Sequence, residues 1–192
     1  MITLQYISRT CFEGILAEWA FRENSIKPLL LRSREPIISS LPKDTVWFKA
    51  EIDKQDLLNL RLIRDTSWNF LSFFTGEIPL AVSNFESFKK YPLKLPYALL
   101  DNGKTIQQYF DELMRSLPPF MNNSGGANNN LTLILVGSKT TGPFTILEGN
   151  HTVMALYFEY FVKNPHLRYP SHYVYVGISP NMCYCRFHHL KL

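Results

Sequence analysis

The chain has 192 residues, of which 46% are hydrophobic, and its 20 Lys and Arg outnumber its 16 Asp and Glu to give a formal net charge of +4. This composition excludes a disordered chain, and no uninterrupted apolar run approaches the ~20 residues that span a bilayer. The basic residues are scattered, which favours anionic small molecules as partners without requiring nucleic acid. We expect a globular protein without a membrane segment, and a cytoplasmic one because its N-terminus lacks the pattern of a secretory signal.

The first half of the chain, residues 1–95, is predicted to be an α/β portion. Apolar residues at helical spacing predict an amphipathic helix over residues 10–22. Two short β-prone runs, at residues 28–32 and 45–49, predict strands separated by a loop. Asp53 can cap a helix that runs to about residue 62, although residues 60–64 could instead be extended.

A polar cluster and a turn follow in this first half. Arg61, Arg64 and Asp65 stand beside residues 66–68, where a guanidinium could cover a ligand carboxylate or phosphate, or simply mark a solvated helix end. Residues 75–79 predict a turn in which Glu77 is the one carboxylate. The S-x-x-E pattern of residues 83–86 then predicts a capping box and a short helix over residues 84–90.

Two prolines make residues 91–97 an expected extended linker, and we place a soft domain boundary near residue 95. Beyond it, a T-x-x-Q capping box at residues 105–108 begins a helix that Pro118 and Pro119 should end. Residues 122–130 are rich in Asn and are predicted to form a loop. The run over residues 131–136 is apolar at all but one position, which predicts a central strand covered on both faces.

The hydrophobic period changes from strand to helix at Glu148-Gly149-Asn150-His151, between a β-prone run that begins at Phe144 and a helical pattern over residues 151–163. Gly149 permits a backbone conformation that side chains forbid, and Asn150 is a good helix N-cap. The next amides would face outward from the positive end of the helix, an arrangement that can cradle a phosphate or carboxylate with Glu148 and His151 at its mouth. The alternative is an ordinary turn in which His151 packs on its neighbours.

One more strand is predicted over residues 172–178, so the second half reads helix, strand, strand, helix, strand. Residues 179–182 could return near the turn and supply donors to a ligand, or could simply end the strand. Four potential ligands close the chain, but at most three of them could converge on a metal, and a packed tail is the alternative; they are Cys183, Cys185, His188 and His189.

The segment ILEGNHTVMAL, residues 146–156, resembles the I-[LD]-[DE]-G-N-H-R-x-x-A motif of the ParB/sulfiredoxin-like superfamily, which includes partition-protein N-terminal domains, sulfiredoxins and free serine kinases. The resemblance extends from about residue 99 to about residue 187. It implies an α+β fold in which residues 96–192 form a ParB/sulfiredoxin-like mixed sheet with flanking helices, and residues 1–95 form an α/β N-terminal extension. In that superfamily the motif is a nucleotide-phosphate-binding strand–turn–helix. Thr152 stands where the family has Arg, which removes a fixed cation.

The resemblance implies a nucleotide-dependent phosphotransferase, a kinase that uses ATP or ADP with Mg²⁺ to phosphorylate a small hydroxylated metabolite such as an amino acid. Gly149, Asn150, His151 and Thr152 would hold the phosphates. Glu148 would bind Mg²⁺ or orient the acceptor and act with His151 in catalysis. Glu77 would be the base for the acceptor hydroxyl. Phosphoryl transfer needs charge neutralisation and alignment more than covalent chemistry, so these groups would suffice.

Two other functions are consistent with the sequence. The first is a non-catalytic nucleotide- or ligand-binding module, which Thr152 favours because the cation is missing. The second is a ParB-like nuclease or DNA-associated protein, but only about 30 residues follow the last helix, too few for the helix-turn-helix of partition proteins, so specific nucleic-acid binding is not expected. Sulfiredoxin chemistry is not expected either, because the motif contains no cysteine.

Overall fold

A six-stranded mixed sheet with flanking helices organises the chain in the computed structural model, which describes residues 5–22, 34–95, 104–123, 133–170 and 172–188. The strands are β1 (Gln5–Thr10), β2 (Val46–Ile52), β3 (Leu60–Arg61), β4 (Leu133–Gly137), β5 (Phe144–Glu148) and β6 (His172–Ile178). The α-helices are α1 (Phe12–Arg22), α2 (Thr66–Leu71), α3 (Ile78–Lys90), α4 (Ile106–Asn123) and α5 (Asn150–Tyr157). Single helical turns of 3-10 or π type cover Asp56–Asn59, Phe158–Lys163 and Pro180–Tyr184.

The strands lie in the order β1-β2-β6-β4-β5-β3, so neighbours in space come from both halves of the sequence. The pairs β1/β2, β2/β6 and β4/β5 are antiparallel, whereas β4/β6 and β3/β5 are parallel. Because β2 pairs with β6 and β3 pairs with β5, the N-terminal strands are integral parts of the same sheet as the C-terminal ones. The resulting fold is a mixed α and β architecture built on one sheet.

The strand predicted over residues 131–136 is confirmed as β4 at the centre of the sheet from Leu133 onward, and residues 131–132 lie outside the described residues. Its four residues from Leu133 to Val136 are at most 1% exposed, and β6 and β5 pair with it on either side. A strand with covered faces can be apolar at every position, whereas one wet face would require alternation. Helices α2, α3, α4 and α5 pack against one another beside the sheet.

Several predicted elements of the first half are confirmed and others are wrong. The helix over residues 10–22 is α1, and the strand over 45–49 is the longer β2. The sequence analysis missed β1, and the predicted strand over 28–32 lies outside the described residues. Asp53 accepts hydrogen bonds from the backbone N–H groups of Gln55 and Asp56 (2.7 and 3.0 Å), but the helical turn that follows stops at residue 59. The extended alternative for residues 60–64 is therefore correct at β3, because pairing with β5 competes with the helix.

Two other predictions that involve prolines are wrong. Helix α3 begins at Ile78 rather than near 84, with Glu77 as its N-cap residue and Pro79 in the first turn, where no intrahelical N–H bond is lost. Helix α4 continues through Pro118 and Pro119 to Asn123 instead of ending there. Its predicted capping box is confirmed: the Gln108 N–H donates to Thr105 Oγ1 (3.1 Å), and the Thr105 N–H donates to Gln108 Oε1 (2.8 Å).

Among the described helices, none combines the length and the apolar character that crossing a bilayer requires.

The C-terminal segment closes over β5 through His188. This histidine is 3% exposed, its Nδ1 lies 2.9 Å from Thr145 Oγ1, and the neighbouring Phe187 carbonyl accepts a hydrogen bond from the Arg64 N–H (3.0 Å). Burial lowers the pKa of His188 to about 4, because the charged imidazolium would lose its hydration.

Stability is therefore expected to fall in mild acid. In the unfolded chain the His188 pKa returns to about 6.5, so the unfolded state takes up a proton between pH ~6.5 and ~4 while the folded state does not. This histidine contributes stability that is fully present above that window and lost as the pH falls through it, by up to about 1.4 kcal/mol per pH unit. Urea denaturation at several pH values gives the free energy of unfolding as a function of pH. In His188→Gln this free energy should fall less steeply with decreasing pH than in the wild type, and an unchanged pH dependence would contradict the assignment.

Candidate functional site

The predicted phosphate-binding turn joins β5 to α5 through a left-handed glycine. Gly149 has φ 96° and ψ 18°, and its carbonyl accepts the first helical hydrogen bond from the Val153 N–H (2.9 Å). A side chain at this φ would be strained, so glycine is required for the sharp reversal. Gly149 is also the residue that caps the helix, and Asn150 is its first residue, which corrects the expectation that Asn150 is the N-cap.

Asn150 serves as an internal connector instead. Its side chain is buried, its Oδ1 accepts a hydrogen bond from the Ile63 N–H (2.8 Å), and its Nδ2 donates to the Ile146 carbonyl (3.3 Å). The amide thus joins the segment after β3 to the end of β5, and its oxygen already accepts a protein N–H. Only the backbone N–H of Asn150 is suited to face a phosphate.

His151 is held between two helices. Its ring lies edge-to-face against Trp68 of α2 with 5.0 Å between centroids, and its Nε2 lies 2.9 Å from Ser116 Oγ of α4. Burial lowers the pKa of His151, so the neutral imidazole dominates at neutral pH. The histidine therefore presents a fixed polar ring at the turn rather than the additional positive charge of a protonated one. Thr152, next in the helix, is partly exposed.

The positively charged side chain of Arg34, which the sequence analysis did not identify, lies beside Glu148. The Arg34 Nη2 lies 3.5 Å from Glu148 Oε2, and the Arg34 guanidinium carbon lies 5.6 Å from the centre of the Trp19 ring. Both members of the pair are about one-third exposed or less. Because Arg34 is far from the turn in sequence, no local pattern could have placed it there, yet it restores a guanidinium near a turn that carries Thr152 in place of Arg.

Glu77 is not brought into contact with the turn. It pairs with Arg61 (3.4 Å from Nη2 to Oε1), and its backbone forms an isolated bridge with the same residue. On its other side, Arg61 pairs with Thr145 of β5, so β3 lies between Glu77 and the strand that carries Glu148. Neighbouring strands lie about 5 Å apart, so Glu77, the expected base, is about 10 Å or more from the strand that leads to the expected phosphate site.

The segment after β6 lies at the wrong end of the sheet to reach the turn. The Ser179 N–H donates to the Gly137 carbonyl (3.2 Å) at the end of β4, whereas Glu148 pairs with Ile134 near the start of that strand. The Ser179 hydroxyl donates to Asp44 instead (2.7 Å). Of the two alternatives for residues 179–182, the simple strand-ending turn is therefore correct.

No group of three or more His, Cys, Asp or Glu side chains in the described part of the chain could hold a metal ion. Cys185 is buried against Ser40 (3.3 Å between Sγ and Oγ), Cys183 is exposed, and His188 contacts Thr145; His189 lies outside the described residues. A Mg²⁺ ion that arrives with a nucleotide makes a smaller demand, because phosphates and water supply most of its ligands and one carboxylate can complete them. Glu148 is the carboxylate at the turn that could fill this limited role.

Comparisons with known families, curated proteins and solved structures gave no match to this chain.

Proposed function

We propose that the chain has a ParB/sulfiredoxin-like fold and is a nucleotide-dependent phosphotransferase that binds the phosphates of ATP or ADP at the Gly149–Thr152 turn. The observation that carries the proposal is the left-handed Gly149 between a buried strand and a helix, with the Arg34 guanidinium 3.5 Å from Glu148 at the same turn. Helix-start amides and a guanidinium are the two kinds of donor that phosphate groups favour. The acceptor is proposed to be a small hydroxylated metabolite such as an amino acid.

In this proposal each residue at the turn has a role that follows from its contacts. The amides of residues 150–152 would bind phosphate oxygens, and Arg34 would move from Glu148 to the phosphates and neutralise their charge. Mg²⁺, when bound with the nucleotide, would supply further charge neutralisation beside Glu148. Neutral His151, packed on Trp68, would donate one hydrogen bond from Nδ1 to a phosphoryl oxygen, which requires the Ser116 hydroxyl to donate to its Nε2 rather than to the Leu113 carbonyl. Glu77, which pairs with Arg61 across β3 from the turn, has no role in this proposal.

Calorimetry with ATP, ADP and CTP, each with and without Mg²⁺, tests the first step. Saturable binding of one of these nucleotides, with a lower affinity in Arg34→Ala, would support the site. Arg168→Ala removes the same charge from an exposed position and is the matched control. No heat with any nucleotide would remove the phosphotransferase proposal.

We expect His151→Ala to weaken nucleotide binding about tenfold, the effect of losing one hydrogen bond to a charged group. The melting temperature should fall as well, because the substitution removes the contacts with Trp68 and Ser116. Ser116→Ala is the control that separates the two effects: it removes the supporting hydroxyl but leaves the imidazole at the turn. If His151→Ala melts earlier yet binds the nucleotide with wild-type affinity, His151 is a packing residue and not part of the site.

A second candidate function is a non-catalytic nucleotide-binding module. The observation that favours it is the engagement of the Asn150 amide and the His151 ring by protein groups, together with the separation of Glu77 from the turn. Measuring nucleotide consumption during a screen of amino acids and other hydroxylated metabolites distinguishes the two. Binding without any product across a broad screen would select the module.

A further inference from the structure

A cavity of about 400 Å³ opens at the end of the sheet opposite to the Gly149–Thr152 turn. It lies where the end of β1 meets the start of β2, since Thr10 pairs with Trp47 and both line it. Val46, also in its wall, pairs with Ile178 at the end of β6, whereas Glu148 belongs to the other end of the sheet. Its volume falls in the range of small-molecule sites, about 300–1,000 Å³.

The charge of this cavity is positive. Arg9 and Lys43 line it, neither forms an ion pair with another residue that the structure describes, and no carboxylate lines its wall. The adjacent Asp44 faces an adjoining cavity, where it accepts hydrogen bonds from Ser179 and Asn181; Lys43 borders that cavity too. Two unneutralised cations in a concave site attract anions and hold them near the wall.

The remaining wall combines apolar side chains with small polar ones. The rings of Phe12 and Trp47 are stacked, with 4.9 Å between centroids and 18° between planes, and Ile38 and Leu41 complete this side. Thr45 Oγ1 donates to the Pro42 carbonyl (2.6 Å), so this hydroxyl is fixed in direction. A ligand with a planar apolar body would bury that body against the Phe12 ring, because Trp47 is only 5% exposed.

We propose that the cavity binds a small organic anion in which a carboxylate or phosphate group is attached to an aromatic ring. Arg9 pairs with two oxygens of the anionic group, since a guanidinium matches such groups in a bidentate manner, and Lys43 adds a second, more mobile positive charge. The ring of the ligand lies against Phe12, which is itself stacked on the buried Trp47. The site is independent of the nucleotide proposal, because it shares no residue with the Gly149–Thr152 turn.

Benzoate and phenyl phosphate are the probes for a carboxylate and a phosphate source, respectively, and benzyl alcohol is the neutral control. Titrations by calorimetry should show saturable binding of at least one anion at millimolar concentration and binding of benzyl alcohol at least tenfold weaker. The exposed Cys11 lies in the cavity wall and supplies a second readout. A saturating anion should slow its alkylation several-fold, while the exposed Cys183 reacts at its original rate.

Arg9→Ala and Lys43→Ala should each weaken binding about tenfold, the effect of losing a charged hydrogen bond. Arg168→Ala, which removes the same charge from an exposed loop, should keep wild-type affinity, and so should His151→Ala if the two sites are separate. The proposal is overturned if neither anion binds, if benzyl alcohol binds as well as benzoate, or if Arg9→Ala with a wild-type melting temperature retains full affinity.

Discussion

Replacing Phe144 by alanine is expected to lower the free energy of unfolding by about 3–5 kcal/mol, the usual cost of removing a buried aromatic side chain. Phe144 is fully buried at the start of β5, where it pairs with Leu60 of β3. Its ring lies so close to Gly137 that a methyl group there would be 2.7 Å from it. The substitution leaves a cavity beside Gly137, which has no side chain to fill it. Urea denaturation measures the change.

Two variants make the Phe144 result specific. Phe21→Ala is the same substitution at a side chain that is 81% exposed, and we expect it to change stability by less than about 0.5 kcal/mol. Gly137→Ala should be destabilising in the wild-type chain and less so in the Phe144→Ala background, because the ring that it would overlap is gone. Additive effects of the two substitutions would show that Gly137 and Phe144 are not in contact.

Asn150→Ala is expected to cost about 2 kcal/mol, which corresponds to a melting temperature lower by roughly 4–8 °C in a chain of this size. The reason is that the Ile63 N–H, which donates to Asn150 Oδ1 at 2.8 Å, remains buried without an acceptor. The Ile146 carbonyl loses a donor as well. Thermal melting measures the global effect, and hydrogen exchange at the Ile63 amide measures the local one.

The control for Asn150 is Asn181→Ala, which removes an exposed hydrogen bond to Asp44 (2.9 Å) and should change stability little. The decisive measurement is hydrogen exchange at the Ile63 amide, compared between Asn150→Ala and the wild type. If Asn150→Ala leaves Ile63 as protected from exchange as in the wild type, the bond across the turn does not form in solution. In that case the segment after β3 would not be anchored to the candidate site.

Long elements with a clear local pattern were predictable from the sequence. The apolar run of β4, the helical spacing of α1 and the capping box at Thr105 and Gln108 each bury or satisfy their own neighbours, so the local signal and the final structure agree. Elements that depend on a distant partner were either missed, as β1 was, or left open between helix and strand, as residues 60–64 were. β1 and the two-residue β3 are strands because β2 and β5 supply their hydrogen bonds, and no pattern within them encodes those partners.

In the candidate site, too, the local features were predictable and the contacts with distant segments were not. The glycine turn and its neighbours were identifiable because strand period, glycine and helix period follow one another within a few residues. The surroundings of the turn were not. Arg34 beside Glu148, Ser116 beside His151, and the use of the Asn150 side chain by Ile63 all join segments that are far apart in the chain. These contacts decide which groups of the motif remain available to a ligand.

By itself, then, the sequence determined the mixed α and β composition, the central strand and the strand–turn–helix at Glu148–His151, because backbone preference and hydrophobic period act over a few residues. Only the tertiary structure decided that strands of both halves share one sheet, that Glu77 lies across β3 from the turn, and that residues 179–182 lie at the opposite end. The physical reason is that strand order and ion pairing are fixed by packing between distant segments, where many arrangements satisfy the same local pattern and only the buried contacts distinguish them.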